Sequence, residues 1–129
     1  IDILLTSNNH VQFYTDFVNE LLKEKIIVDI FSKGDTQIMA VAKLKVKGSD
    51  TFRHIDIFGY SQNIYPFALL HATGSDEHNK TMRTISLEQG YSLSQYGLKQ
   101  NGVIQELNIK SEKDIFDFLK MEYIEPHKR

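Results

Sequence analysis

The sequence predicts an α+β fold, on three observations. One stretch of helical periodicity, from about Val11 to Lys25, sits among short runs rich in branched and aromatic residues. The second half opens on two helical runs that break at Thr73-Gly74-Ser75. An Asn101-Gly102 pair between short apolar runs then marks a hairpin. The expected outline is a mostly antiparallel sheet with a packed helix, followed by a small helical and β-hairpin subdomain.

The bulk composition sets the limits. A chain of 129 residues is long enough for one core or two small packed subdomains, and its 41% hydrophobic and 25% charged residues are globular values. No run approaches the roughly 20 apolar residues of a membrane helix, so no membrane partner is expected. With no cysteine there is neither disulfide nor thiolate chemistry, which fits a reducing compartment. A net charge of −2 exerts no global pull on nucleic acid, so any such contact must come from local groups.

In chain order, residues 1–6 read as a buried strand, and Asn8 and Asn9 offer a cap for the helix that follows. Val11, Tyr14, Phe17, Val18, Leu21 and Leu22 keep helical spacing on its inner face. Residues 26–32 and 36–45 are strands joined at Lys33-Gly34-Asp35, and 51–59 is the next strand after a turn at 47–50. Ser61-Gln62-Asn63 is a polar connection, so residues 1–62 and 63–129 form two expected domains. Helices follow over 64–72 and 75–89, the second ended by Gly90. Short strands flank Asn101-Gly102, and Ser111 to Asp114 is a capping box opening a helix over 115–120. The tail from Glu125 to Arg129 reads as exposed and basic, and His10, His78 and His127 as surface residues.

Three aspartates are wedged between branched apolar residues, in Ile1-Asp2-Ile3, Val28-Asp29-Ile30 and Ile55-Asp56-Ile57. A strand residue points away from both neighbours, so each carboxylate needs solvent, a cation or a donor. Two of them meeting on one open face would make a hard-oxygen site for Mg²⁺. Spacing alone leaves open which two meet. Farther on, Ser75 is a good N-cap and Asp76 sits where the helix dipole favours an anion. Asp76, Asn79 and Arg83 follow at i, i+3 and i+7 on one helix face.

Taken together, Ile1-Asp2-Ile3-Leu4-Leu5, Ser32-Lys33-Gly34-Asp35-Thr36, Arg53-His54-Ile55-Asp56-Ile57, Thr73-Gly74-Ser75-Asp76 with Asn79, Met82 and Arg83, and Ser111 to Asp117 with Tyr123-Ile-Glu-Pro126 resemble the C-terminal half of a family X DNA polymerase, the polymerase beta type. The resemblance runs nearly end to end. It implies a nucleotidyltransferase-type palm in residues 1–62 and a nucleotide-binding thumb or fingers subdomain in 63–129. By that likeness Asp2 and Asp56 are metal-binding and catalytic, with two Mg²⁺ ions (or Mn²⁺) as cofactor, and Asp56 serves the primer 3′-hydroxyl as base or relay. Asp29 matches no catalytic position. His71, Thr73, Gly74, Ser75, Asp76 and Asn79 are expected at the incoming dNTP. Lys33, Thr36, His54, Arg83 and Tyr96 are expected along the DNA, a primer–template or gapped duplex. The first catalytic aspartate and the triphosphate-binding motif would precede Ile1, so the sequence reads as an incomplete piece that should not polymerise by itself.

Several positions depart from the family pattern. His71-Ala72 stands where an aromatic pair is usual, Phe58 where an arginine is, Gln95 where its acidic partner is, and His54 where another arginine is. The ring of Phe58 is expected to fill the space left beside Ala72. Small viral members of the family also vary there, which points to a viral or compact enzyme, intracellular, in a nucleus or a viral replication compartment. The implied activity is template-directed DNA synthesis in short-gap repair. A non-catalytic module binding nucleotide or DNA ends, and a template-independent nucleotidyltransferase, are the two alternatives.

Overall fold

A computed structural model describes residues 1–129 as two compact units, Ile1–Ser61 and Gln62–Arg129. No helix is long and apolar enough to cross a membrane.

The first unit contains β1 (Asp2–Ser7), α1 (His10–Lys23), β2 (Ile27–Lys33), β3 (Gln37–Val46) and β4 (Ser49–Ser61), with sheet order β1-β4-β3-β2. The β2–β3 and β3–β4 pairs are antiparallel, while β1 lies parallel to β4. Alternation along β3 and β4 sends Ile38, Ala40, Ala42, Ile55 and Ile57 to one face, where they pack with Tyr14 and Val18 of α1. The opposite face is open. The turn before β4 is shorter than expected: Lys47 and Gly48 take φ of 50° and 80°, and Val46 already pairs with Ser49. Two residues with positive φ suffice for a tight hairpin turn, so Ser49 and Asp50 join the strand.

Two expectations for α1 are corrected. Val11 is 42% exposed, because the buried stripe passes through Tyr14 and Val18 and leaves Val11 beside it. Asn9 occupies the N-cap position but its side chain makes no capping bond; instead its backbone N–H donates to Ser7 Oγ at 3.1 Å. The helix is held by its contact with β4 and by Tyr14, whose hydroxyl donates to the Gly34 carbonyl at 3.1 Å. Burial, and after it the charge of Asp35, push the Tyr14 phenol above its usual range. Gly59 is where α1 comes closest to the sheet: a Cβ there would lie 2.9 Å from Tyr14 Cβ and 3.3 Å from the His10 carbonyl oxygen. Gly59→Ala should therefore destabilise this unit by about 1–3 kcal/mol, an overpacking cost, read as a lower urea midpoint at an unchanged slope.

The second unit contains α2 (Tyr65–Thr73), α3 (Asp76–Glu88), β5 (Ser92–Ser94), β6 (Gly97–Gln100), β7 (Val103–Ile104) and α4 (Glu112–Phe118), with a 3-10 turn at Pro126–Lys128. Phe67, Leu70, Met82, Leu98, Ile115, Phe116 and Leu119 form its own core. Asn101 and Gly102 take φ of 52° and 77°, so the hairpin signal corresponds to a real turn between β6 and β7. The Ser111–Asp114 capping box is complete, and the Lys110 amide bond, the strongest of the influences on it, holds the Asp114 carboxyl below the usual range. Because Ser111 is the cap, α4 starts at Glu112, and it stops before Lys120, whose φ of 57° is left-handed. The expected span of 115–120 was displaced for that reason. β5 was not anticipated, since Ser-Leu-Ser has no pattern of its own and pairs only because β6 lies alongside.

The tail and one histidine also differ from expectation. Arg129 is anchored: its side chain is fully buried and ion-paired with Glu112. His78 is 8% exposed, because it falls in line with Met82 and Ser86, at i, i+4 and i+8, on the inner stripe of α3.

Candidate functional site

In the first unit the open sheet face carries the acidic pair. Asp2 and Asp56 are register partners on adjacent parallel strands, as Ile3 and Ile57 are. Ile57 is fully buried under α1, so the alternation sends both aspartates to the other face, side by side. The backbone fixes the arrangement: Asp56 N–H donates to the Ile1 carbonyl at 2.8 Å, and the Ile1 backbone nitrogen donates to the His54 carbonyl at 2.9 Å. Asp56 Oδ1 lies 2.8 Å from His54 Nε2, and the His54 ring tilts against Phe31 with centroids 5.6 Å apart. Asp29, on β2, accepts the Ile30 amide at 2.9 Å and is thereby satisfied locally.

Two carboxylates on one open face are hard oxygen donors of the kind Mg²⁺ prefers. Nowhere do three or more His, Asp or Glu side chains gather, so this chain offers a cation two such donors at most. Lys33 and Thr36 lie at the β2–β3 turn. Lys33 pairs with Ile38, whose side chain is on the α1 face, so Lys33 projects away from the aspartates. Thr36 uses its carbonyl to accept the Gly59 amide at 2.7 Å. Phe58 stacks on Tyr60 at 6.0 Å.

In the second unit α2 ends where Gly74 takes φ 67° and ψ −150°, a conformation glycine adopts readily. The Gly74–Ser75 peptide is cis. Ser75 Oγ then accepts the His78 amide at 3.3 Å and caps α3, with Asp76 and Glu77 in its first turn. Asn79 ties the helices together: its Nδ2 donates to the His71 carbonyl at 2.9 Å, across the turn. Thr73 Oγ1 donates back to Leu69 at 2.7 Å. His71, Asn79 and Arg83 consequently frame one small cleft, floored by Phe67, Leu70 and Met82. Asp76 is exposed on the same helix face, outside that cleft. Tyr96, 54% exposed, instead borders a larger cavity of about 390 Å³ with Phe67, Ile104 and Leu107.

The chain is similar to known proteins. The family described as DNA polymerase beta thumb matches residues 68–129. A DNA polymerase lambda of Arabidopsis thaliana is 30% identical over 150 residues, covering all of this chain and 28% of that protein. The chain belongs to family X of the DNA polymerases. Among other relatives of this family X chain, DNA polymerase IV of Saccharomyces cerevisiae is 31% identical over 86 residues, 67% of the chain and 14% of that protein. The DNA polymerase/3'-5' exonuclease PolX of Bacillus subtilis is 27% identical over 110 residues, 85% of the chain and 18% of that protein. The family X chain thus spans well under a third of the length of the relatives it matches. Sequence reasoning missed two buried charged or polar groups in it, His78 and Arg129. The spacing of His78 with Met82 was the available signal for the first.

Proposed function

We propose that this chain forms the palm face and the nucleotide-binding thumb of a template-directed DNA polymerase that adds a dNMP to a primer 3′-hydroxyl, serving short-gap repair. The observation that carries this reading is the pairing of Asp2 with Asp56 on the open sheet face. Residues 1–62 act as the palm and 63–129 as the thumb. In the reaction the 3′-hydroxyl oxygen bonds to the α-phosphorus, the bond to pyrophosphate breaks, and Asp56 takes the hydroxyl proton directly or through water. Asp2 and Asp56 would hold Mg²⁺, which when bound supplies neutralisation of phosphate charge.

His71, Thr73, Gly74, Ser75, Asp76 and Asn79 face the incoming nucleotide. The Asn79–His71 bond fixes the turn they sit on, so the nucleotide meets a preformed surface. Arg83, Tyr96, His54 and Thr36 contact DNA, where a cation or hydroxyl on the backbone positions without specifying sequence, while Lys33, which projects to the α1 face, would reach DNA only around the β2–β3 turn. With the protein carrying the upstream length its relatives have, and Mg²⁺ supplied, extension should occur on a one-nucleotide gapped duplex and not on single-stranded DNA. Equal extension on both substrates would make the protein a template-independent transferase. Gap binding without extension would make it a binding module.

A further inference from the structure

The inner side of α3 holds a histidine that the polymerase chemistry does not use. His78 is 8% exposed, and neither of its ring nitrogens has a hydrogen-bond partner. A neutral imidazole has one N–H and one lone pair, and burying either unsatisfied is unfavourable. The ring stacks on Phe116, with centroids 5.7 Å apart and planes 29° from parallel. Arg129 shares that phenyl ring from the carboxy-terminal segment. Its guanidinium carbon lies 5.3 Å from the Phe116 centroid and 5.6 Å from that of Tyr123. Arg129 Nε donates to the Ile124 carbonyl at 2.9 Å and Nη1 bonds to Glu112, while Nη2 is buried without a partner. One buried cation and three orphaned nitrogens are therefore gathered about Phe116.

We propose that His78 and Arg129 form an acid-sensitive clasp, in which the segment from Leu119 to Arg129 stays closed on α3 only while His78 is neutral. The charged groups acting on His78 from the elements packed against it are Arg129 on the carboxy-terminal segment and Glu112 on α4. A proton on His78 would place a second cation near the guanidinium in an apolar setting. Glu112, the acid that would favour that proton, is already bonded to Arg129. Burial, then Arg129, push His78 below the usual histidine range, and Glu112 opposes them more weakly.

The sign follows from linkage. Below about pH 6.5 the unfolded chain takes up a proton at this histidine before the folded one does, so stability is complete above that pH and falls beneath it. One proton gives up to about a tenfold rise in the unfolding constant for each pH unit across that window. The clasp does not depend on what the outer face of α3 binds, so it stands or falls apart from the polymerase reading.

The test is an NMR titration of the whole 129-residue chain. The His78 ring signal should change below pH ~6.5, and the amide signals of residues 119–129 should move with it. His78→Phe keeps an apolar ring at that place. It should hold those amide signals fixed and remove most of the fall in melting temperature between about pH 7 and 5. A His78 titration that leaves the 119–129 signals unmoved overturns the clasp, and so does His78→Phe melting with the wild-type pH dependence. Should the variant fail to fold, the wild-type titration decides by itself.

Discussion

Asp56→Ala is expected to cut primer extension by on the order of a thousandfold or more, the scale of losing one charge-stabilising group in phosphoryl transfer. Asp56 lies opposite Asp2, its side chain is only 24% exposed, and His54 bonds to it at 2.8 Å. On the proposed reading, removing it takes away one of two oxygen donors and the acceptor for the 3′-hydroxyl proton together. The strand should persist, because Asp56 points to the open face and Ile55 and Ile57 keep the core contacts. Affinity for gapped duplex should therefore change little, since the residues proposed to touch DNA are other side chains. Single-turnover extension and a binding titration on the same variant separate the two effects. Extension within about tenfold of wild type would remove Asp56 from the chemistry.

Phe116→Ala should destabilise the second unit by about 3–5 kcal/mol, the usual range for emptying a buried aromatic site. Phe116 is 0% exposed and meets His78, Tyr123 and the Arg129 guanidinium, so the lost ring leaves a void that three neighbours border. A loss of that size is a large share of the stability of a small domain. Denaturant unfolding followed through Tyr91 and Tyr123 signals should show the second unit melting early while the first keeps its midpoint. A shift below about 1 kcal/mol would mean that the ring is not a keystone of that core.

What could be read from the sequence was mostly local. The Asn101-Gly102 turn, the Ser111–Asp114 box and the Ser75 cap each depend on a few adjacent residues, and each is present. Gly74 was legible because few other residues fit the φ of 67° there. Non-local facts were not legible. Spacing could not say which two of three wedged aspartates meet, because that is set by β1 lying parallel to β4, a pairing no short window encodes. Arg129 looked like a solvated tail residue, since the ring pocket and acid that bury it come from other elements. His78 is of a residue type usually met at the surface, yet its spacing from Met82 places it on the buried helical stripe.

The parallel junction of β1 with β4 has a kinetic corollary. The acidic pair is separated by 56 − 2 = 54 positions along the chain, so it exists only after a long loop has closed. The β2–β3–β4 meander can zip from its own turns, whereas β1 must be captured from a distance. Any species lacking that capture has no paired carboxylates, so the acidic pair itself marks the docking of β1 on β4.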